Sequence, residues 1–412
     1  MAQNNTKARA FHYGWVIVVT GALVIFSCFG LARYAYTMLL PGMQAGLGFA
    51  YEKMGFIGTC NFAGYLTAVL AAPLVIRRLH PRRTISAGLL LIGVSMLIIS
   101  RSQSYGMILV LYTLVGIGGG FANIPMMALI TCWFRSEQRG KAVGLVLAGN
   151  GAGIIFSGAL IPLLNRWYGA AGWRNGWLIL RLLSLAAAAV AALLLRNHPT
   201  ELGLEPLGRV LPPSAGQLVP RERRGDGRLL VRLGLLYLAF GATFMVYGTF
   251  IVTTMVKEYG FSEAKAGLYW SWVGCFSLFS GVGFGTLSDR IGRKCGLALV
   301  FMVQSISYLL AGLRLGTAAL LFSIILYGLA VFAIPAIMTA AIGDYLGLSR
   351  AANALATVTI FFALGQTIGP GAAGMFAGAI GSFAPCYLAS ALLTAAAALF
   401  AAILPEPAAG HE

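Results

Sequence analysis

"RNHPTELGLEPLGRVLPPSAGQLVPRERRGDGR", residues 196–228, is the longest polar interruption in an otherwise apolar chain. It is rich in proline, glycine and arginine and reads as a flexible linker. On each side of it lie six apolar runs of the length needed to cross a bilayer, about 20 residues each. The first six cover approximately 14–41, 54–76, 84–100, 105–134, 142–164 and 175–195. The second six cover approximately 229–256, 266–287, 295–313, 317–342, 354–376 and 386–404. The expected fold is therefore an all-α membrane protein with twelve transmembrane helices in two six-helix bundles. The expected domains are 1–195, a linker over 196–228, and 229–412.

Composition agrees. Of 412 residues, 59% are hydrophobic and 10% charged, with mean hydropathy +0.83. A soluble domain of this size needs far more surface charge. The period-2 alternation of a membrane β-barrel is absent. The net charge of +17 could suggest nucleic acid, but the basic residues sit in short loops between apolar runs. The bilayer is the expected partner and nucleic acid is not. The first run is read as a retained span, since "MAQNNTKARAFHYGW" carries no small-residue cleavage site.

Six cysteines are scattered singly, and the four histidines fall outside the apolar runs without metal-ligand spacing. No metal or cofactor is expected. No nucleophile–base cluster is visible either, so an enzyme is not expected. With both termini on the cytoplasmic side, twenty of the 29 Lys/Arg fall on that side and seven on the other. The positive-inside bias thus predicts cytoplasmic N- and C-termini. Arg33 and Arg181 remain, inside spans. All twelve acids fall in loops or at span ends, so no carboxylate lies deep in a span.

The halves resemble each other at an offset of about 211 residues: "FGLARYAY" (29–36) faces "FGATFMVY" (240–247). Arg33 faces Phe244, so the cation belongs to the first half alone. "GTLSDRIGRK", Gly285 to Lys294, closely resembles the helix 8–9 loop of the major facilitator superfamily. The equivalent "APLVIRRLHPRRT" keeps the arginines but has Ile76 where an acid is expected. "WFRSEQRGKAVG" (133–144) resembles that superfamily's helix 4–5 connection. Within it, "YGWVIV", "GLARYAYTMLLPGM" and "NFAGYL" are similar to a bacterial branch near the monocarboxylate, oxalate/formate and cyanate permeases. The cations such permeases carry in helices 8 and 11 are missing here.

The resemblance implies a secondary transporter of the bacterial inner membrane working by alternating access, with helices 1, 4, 7 and 10 lining a central cavity. It also implies that Asp289 docks on the start of helix 5, near Gly140, in the other half. Arg290, Arg293 and Arg139 complete this expected gate. Burying arginine mid-span costs about 2.5–3.5 kcal/mol on insertion scales. Three readings of Arg33 stand: snorkelling outward, bonding backbone carbonyls, or holding an anion in the cavity. On the third, the expected lining is Arg33, Tyr36 and Thr37 on helix 1, Asn61 and Tyr65 on helix 2, and Tyr112 and Asn123 on helix 4. Tyr247, Trp270, Tyr327 and Gln366 follow from helices 7, 8, 10 and 11. The "GIGGG" run (116–120) is expected to serve close helix packing.

The expected cargo is a small monocarboxylate-like anion, with or without an accompanying proton, carried by a monomer. The alternative is efflux of drugs or metabolites. The glycine–proline pair common in helix 5 of such antiporters is missing from "AGNGAGIIFSG" (148–158), where Asn150 stands.

Overall fold

In the computed structural model, residues 12–208 and 226–405 are described. Nine of their segments are long and apolar enough to cross a membrane. One of them, Tyr51–Arg101, has 51 residues. At 1.5 Å per residue it is far too long for one crossing of a core about 30 Å thick. It breaks at His80, whose φ is 60°. Another, Glu137–Leu194, breaks at the short 3-10 turn Gly169–Ala171. Glu263–Ile291, rich in glycine and serine, adds a less apolar helix.

The described residues thus form twelve helices. They are α1 (Gly14–Leu47), α2 (51–79), α3 (81–101), α4 (Tyr105–Trp133), α5 (Ser136–Tyr168) and α6 (Gly172–Leu194). The second half holds α7 (Asp226–Lys257), α8 (Glu263–Ile291), α9 (Arg293–Gly312), α10 (Thr317–Leu346), α11 (Leu348–Ile380) and α12 (Ala384–Ala402).

The start of α1, the α4–α5 connection and the end of α6 meet on one side, where Tyr13 Oη donates to Leu194 O and Trp133 Nε1 to Arg196 O. The ends of α10 and α12 meet there in the second half, through Tyr345 Oη and Pro405 O. We call this the basic face. Residues 196–208 correct one expectation. They are not slack but docked on this face: Leu207 N donates to Trp133 O and Arg135 N to Leu207 O, both at 2.9 Å. Arg135 also pairs with Glu205 at 2.8 Å. Paired backbone groups fix the segment that its composition leaves open. Residues 209–225 lie outside the described residues.

Lipid supplies no hydrophobic push between helices, so close backbone approach must hold them. The GIGGG run does this in several directions. A Cβ on Gly116 would lie 1.9 Å from Asn61 O of α2, and one on Gly118 would lie 2.5 Å from Gly88 O of α3. Between the halves, Gly158 of α5 meets Gly267 of α8, and Gly55 of α2 meets Gly374 of α11. Thr37 Oγ1 of α1 donates to Gly248 O of α7 at 2.5 Å. Those two residues are 211 apart, the repeat offset, so the pseudo-twofold axis passes beside them.

All these contacts between halves lie towards the face opposite the basic one. Further along the same stripes, a Cβ on Gly140 or Gly144 of α5 or on Gly285 of α8 would meet nothing outside its own helix within 4 Å. The halves are therefore joined at the opposite face and splayed at the basic face.

Gly116→Ala should lower stability by about 1–3 kcal/mol through overpacking. Gly106→Ala, with nothing within 4 Å, should be neutral; thermal melts in detergent compare the two. Gly158→Leu should pry the seam and shift the protein towards a state closed at the basic face. Spin-label distances across that face should then shorten.

Candidate functional site

Residues Phe26–Tyr34 of α1 form a π-helical stretch, a feature frequent at functional sites. It coincides with a close approach to α5, where a Cβ on Gly30 would lie 2.6 Å from Gly153 Cα. Arg33 lies near its end. Helical side chains lean towards the helix N-terminus, which here is at the basic face. The guanidinium follows that rule. Its carbon lies 4.6 Å from the ring centre of Phe29, 4.8 Å from Phe62 and 4.7 Å from Tyr65. It does not reach outward past Pro41. Among the described residues it has no hydrogen bond to a carbonyl and no carboxylate partner. Each ring face offers about 0.5–2 kcal/mol to a partly desolvated cation. Three together are of the order of the cost of placing arginine mid-span.

Arg33 faces the other half rather than lipid. With Tyr36, Thr37, Asn61, Phe62 and Tyr112 it borders a small space closed by Met245, Gly248 and Thr249 of α7. That space measures about 10 Å³, room for roughly one water. Tyr34 crosses to Phe332 of α10, ring centres 6.2 Å apart. Asn123 Nδ2 of α4 donates to Tyr65 Oη at 3.1 Å, which leaves the Tyr65 hydroxyl proton free to donate elsewhere.

The other expected residues divide. Tyr36 Oη donates to Met54 O, Tyr112 Oη to Ala32 O and Asn61 Nδ2 to Tyr112 O, so their polar groups are engaged within the first half. Tyr247 Oη bonds Ser323 Oγ, and Tyr327 Oη donates to Phe244 O. The two rings stack at 4.3 Å inside the second half. Trp270 and Gln366 are buried, and Trp270 Nε1 and Gln366 Oε1 have no partner among the described residues. Arg33, Tyr65 and Asn123 are thus brought together, while Tyr247 and Tyr327 form a separate buried cluster.

The gate residues are apart in this conformation. Asp289 pairs with Arg293, one turn on, rather than with α5. Arg293 Nε also meets Asp344 Oδ2 of α10 at 2.5 Å, and its Nη1 donates to Ser288 Oγ. Arg290 is exposed, and a Cβ on Gly140 would meet nothing outside its own helix within 4 Å. The Arg139 Nε is buried without a hydrogen-bond partner among the described residues.

Sequence reasoning missed Phe29, Phe62 and Phe332. Phe29 had a signal, since it precedes Arg33 by four residues and so shares its face. Phe62 lies three residues before Tyr65 on α2, and the same spacing could have found it. The π-helical stretch had none, because only the contact with α5 reveals it.

The chain spans 43% of the length of one curated relative, the probable hexose phosphate transport protein of Chlamydia pneumoniae, at 24% identity over 48% of its own length. It is 23% identical to the Chlamydia muridarum protein of that name, over 66% of this chain and 64% of that one. It is 25% identical to monocarboxylate transporter 4 of Mus musculus over 67% and 58%. The fold matches that of the nucleoside transporter NupG with a TM-score of 0.74, at 12% identity, over 94% of this chain and all of that one. It also matches a bacterial homologue of the lysosomal transporter Spinster, inward-facing and occupied, with a TM-score of 0.71 and 15% identity over 96% of both. The family described as "Uncharacterised MFS-type transporter YbfB" matches residues 25–405. The chain therefore belongs to that family and is a transporter of the major facilitator superfamily, not an enzyme.

Proposed function

We propose that this transporter moves a small organic monoanion, carboxylate first, across the cytoplasmic membrane, with the carboxylate held by Arg33. One observation carries the reading: a guanidinium between the halves, in mid-span, set among the rings of Phe29, Phe62 and Tyr65 with no carboxylate partner among the described residues. Arginine offers a planar fork of donors matched to a carboxylate. Tyr65 adds a hydroxyl positioned by Asn123, and Phe29, Phe62, Tyr34 and Phe332 offer apolar surface to the rest of the cargo. The relatives named for hexose phosphate and for monocarboxylate both concern anionic cargo. A phosphate dianion calls for a second cation, and the remaining mid-span arginine, Arg181, lies on α6, packed beside Gly93 of α3. The monoanion is therefore favoured.

The basic face is assigned to the cytoplasm by its charge, so the splayed state is inward-facing. No carboxylate or histidine lies deep in a described span, so an accompanying proton travels on the substrate or through water. In the outward-facing state Asp289 would meet the start of α5, whose unpaired N–H groups and dipole attract an anion.

Proteoliposome uptake of radiolabelled lactate and benzoate tests the site. Arg33→Ala should weaken uptake roughly 10–100-fold, the loss of a hydrogen bond to a charged group. Equal uptake by both proteins refutes the assignment, and transport of a cationic drug panel alone would favour efflux instead. Asp289→Asn should slow turnover roughly three- to tenfold while half-saturation changes less than about twofold. Unchanged turnover would remove the latch.

A further inference from the structure

We propose that Phe29, Phe62 and Tyr65 serve as a standing counter-charge for Arg33, so that the empty carrier closes over its own cation and reorients with no anion aboard. The inference rests on the reading of Arg33 as the anion site and says how that site behaves when vacant.

Alternating access passes through a state in which the cavity is shut at both faces. A lone guanidinium sealed there loses its water and needs compensation. No described carboxylate is placed to supply it. Asp289, Asp344, Glu258 and Glu263 all sit at helix ends, and their described partners are Arg293, Arg314, Asn165 and the helix 11–12 turn. The rings stand where a carboxylate would otherwise be needed.

Their placement makes the compensation permanent. Arg33 and Phe29 are on α1, Phe62 and Tyr65 on α2, so all four groups move as part of one half. The Phe29 and Tyr65 rings also touch each other, centres 5.8 Å apart. Rocking breaks contacts between halves, such as Thr37 with Gly248 or Asn165 with Glu263. It leaves this cage intact. A ring face answers the charge electrostatically and carries no acceptor oxygen to hold the guanidinium N–H groups. An arriving carboxylate can therefore bind without first displacing a protein anion. The carrier should accordingly perform net transport as well as exchange.

The test follows the empty protein. Spin labels at Leu79 and Asn353, exposed residues near the basic ends of α2 and α11, report closure of that face on a background with Cys60, Cys132, Cys275 and Cys295 replaced by serine. Without anion, wild type should show both a long and a short distance population. In Phe29→Ala/Phe62→Ala the short population should drop about tenfold or more. Adding Arg33→Ala to that variant should restore it, because the charge needing compensation is gone. A packing defect alone would not be rescued this way.

In vesicles, lactate uptake should be similar with or without internal lactate for wild type. For the double variant it should depend on internal lactate. The proposal is overturned if empty wild type shows only the long population, if the double variant keeps the wild-type distribution, or if the triple variant stays like the double. Failure of lactate to use Arg33 at all would appear in uptake and leave the empty-carrier distances unaffected, so the two failures are told apart.

Discussion

Backbone-to-backbone contact through glycine is the interaction on which this architecture depends. Lipid tails are as apolar as leucine, so helices gain nothing by hiding leucine from them. What they gain is dispersion at short range, and only a missing side chain permits that range. Between the halves, Gly158 approaches Gly267 and Gly55 approaches Gly374, and a few side chains join the seam, such as Ser271 Oγ donating to Ile155 O and Thr59 Oγ1 to Thr367 O. Inside the second half glycines again admit a neighbouring backbone, as Gly365 and Gly369 of α11 do α7, and rings are added: Tyr247, Tyr308, Tyr327 and Tyr387 pack together, tied by Ser323 and Thr254. The hydroxyls of Tyr247 and Tyr387 are paired there, while that of Tyr308 has no hydrogen-bond partner among the described residues.

Placement of charge follows from the same solvent. A carboxylate in mid-span must be paired or protonated, and the described acids avoid the problem by sitting at helix ends. Glu258 shows how such an end is used. Its carboxylate accepts from Ser382 Oγ and Phe383 N at the start of α12, where the helix dipole favours an anion. Phe383 in turn packs on Tyr51 of α2, ring centres 4.8 Å apart. A helix-end acid in one half thereby fixes a ring that closes the opposite face against the other half.

The spans were legible because length and apolarity alone define them in a bilayer. The twofold repeat was legible too, and the Thr37–Gly248 bond realises its offset as a contact. GIGGG announced close packing, but not that its glycines serve different neighbours. Arg33 stood out as an uncompensated cation with Tyr65 named beside it, and spacing pointed to Phe29 and Phe62, but only the fold brings the α2 rings onto the guanidinium. The hydroxyls of Tyr36, Tyr112, Tyr247 and Tyr327 looked available in the sequence. Their acceptors are mostly backbone carbonyls, which a sequence cannot place. The docking of 196–208 was hidden for the same reason.

The acid missing from the first half, where Arg78 rather than Ile76 stands 211 residues before Asp289, bears on how each half braces its basic face. Arg82 and Arg293 are 211 residues apart and so are repeat equivalents, each near the start of the third helix of its half. Arg293 is held by two carboxylates, Asp289 and Asp344. Arg82 has neither. Its Nε donates instead to Ala192 O at 2.7 Å, in the last turn of α6, and its backbone N–H to Asn197 Oδ1. The unpaired carbonyls of a helix C-terminus carry partial negative charge and attract a cation. In the first half a helix C-terminus stands where the second half has carboxylates. A fixed dipole can anchor the loop but cannot swing across to the other half. The two loops are thus braced by unlike chemistry, carboxylates around Arg293 and a helix end around Arg82.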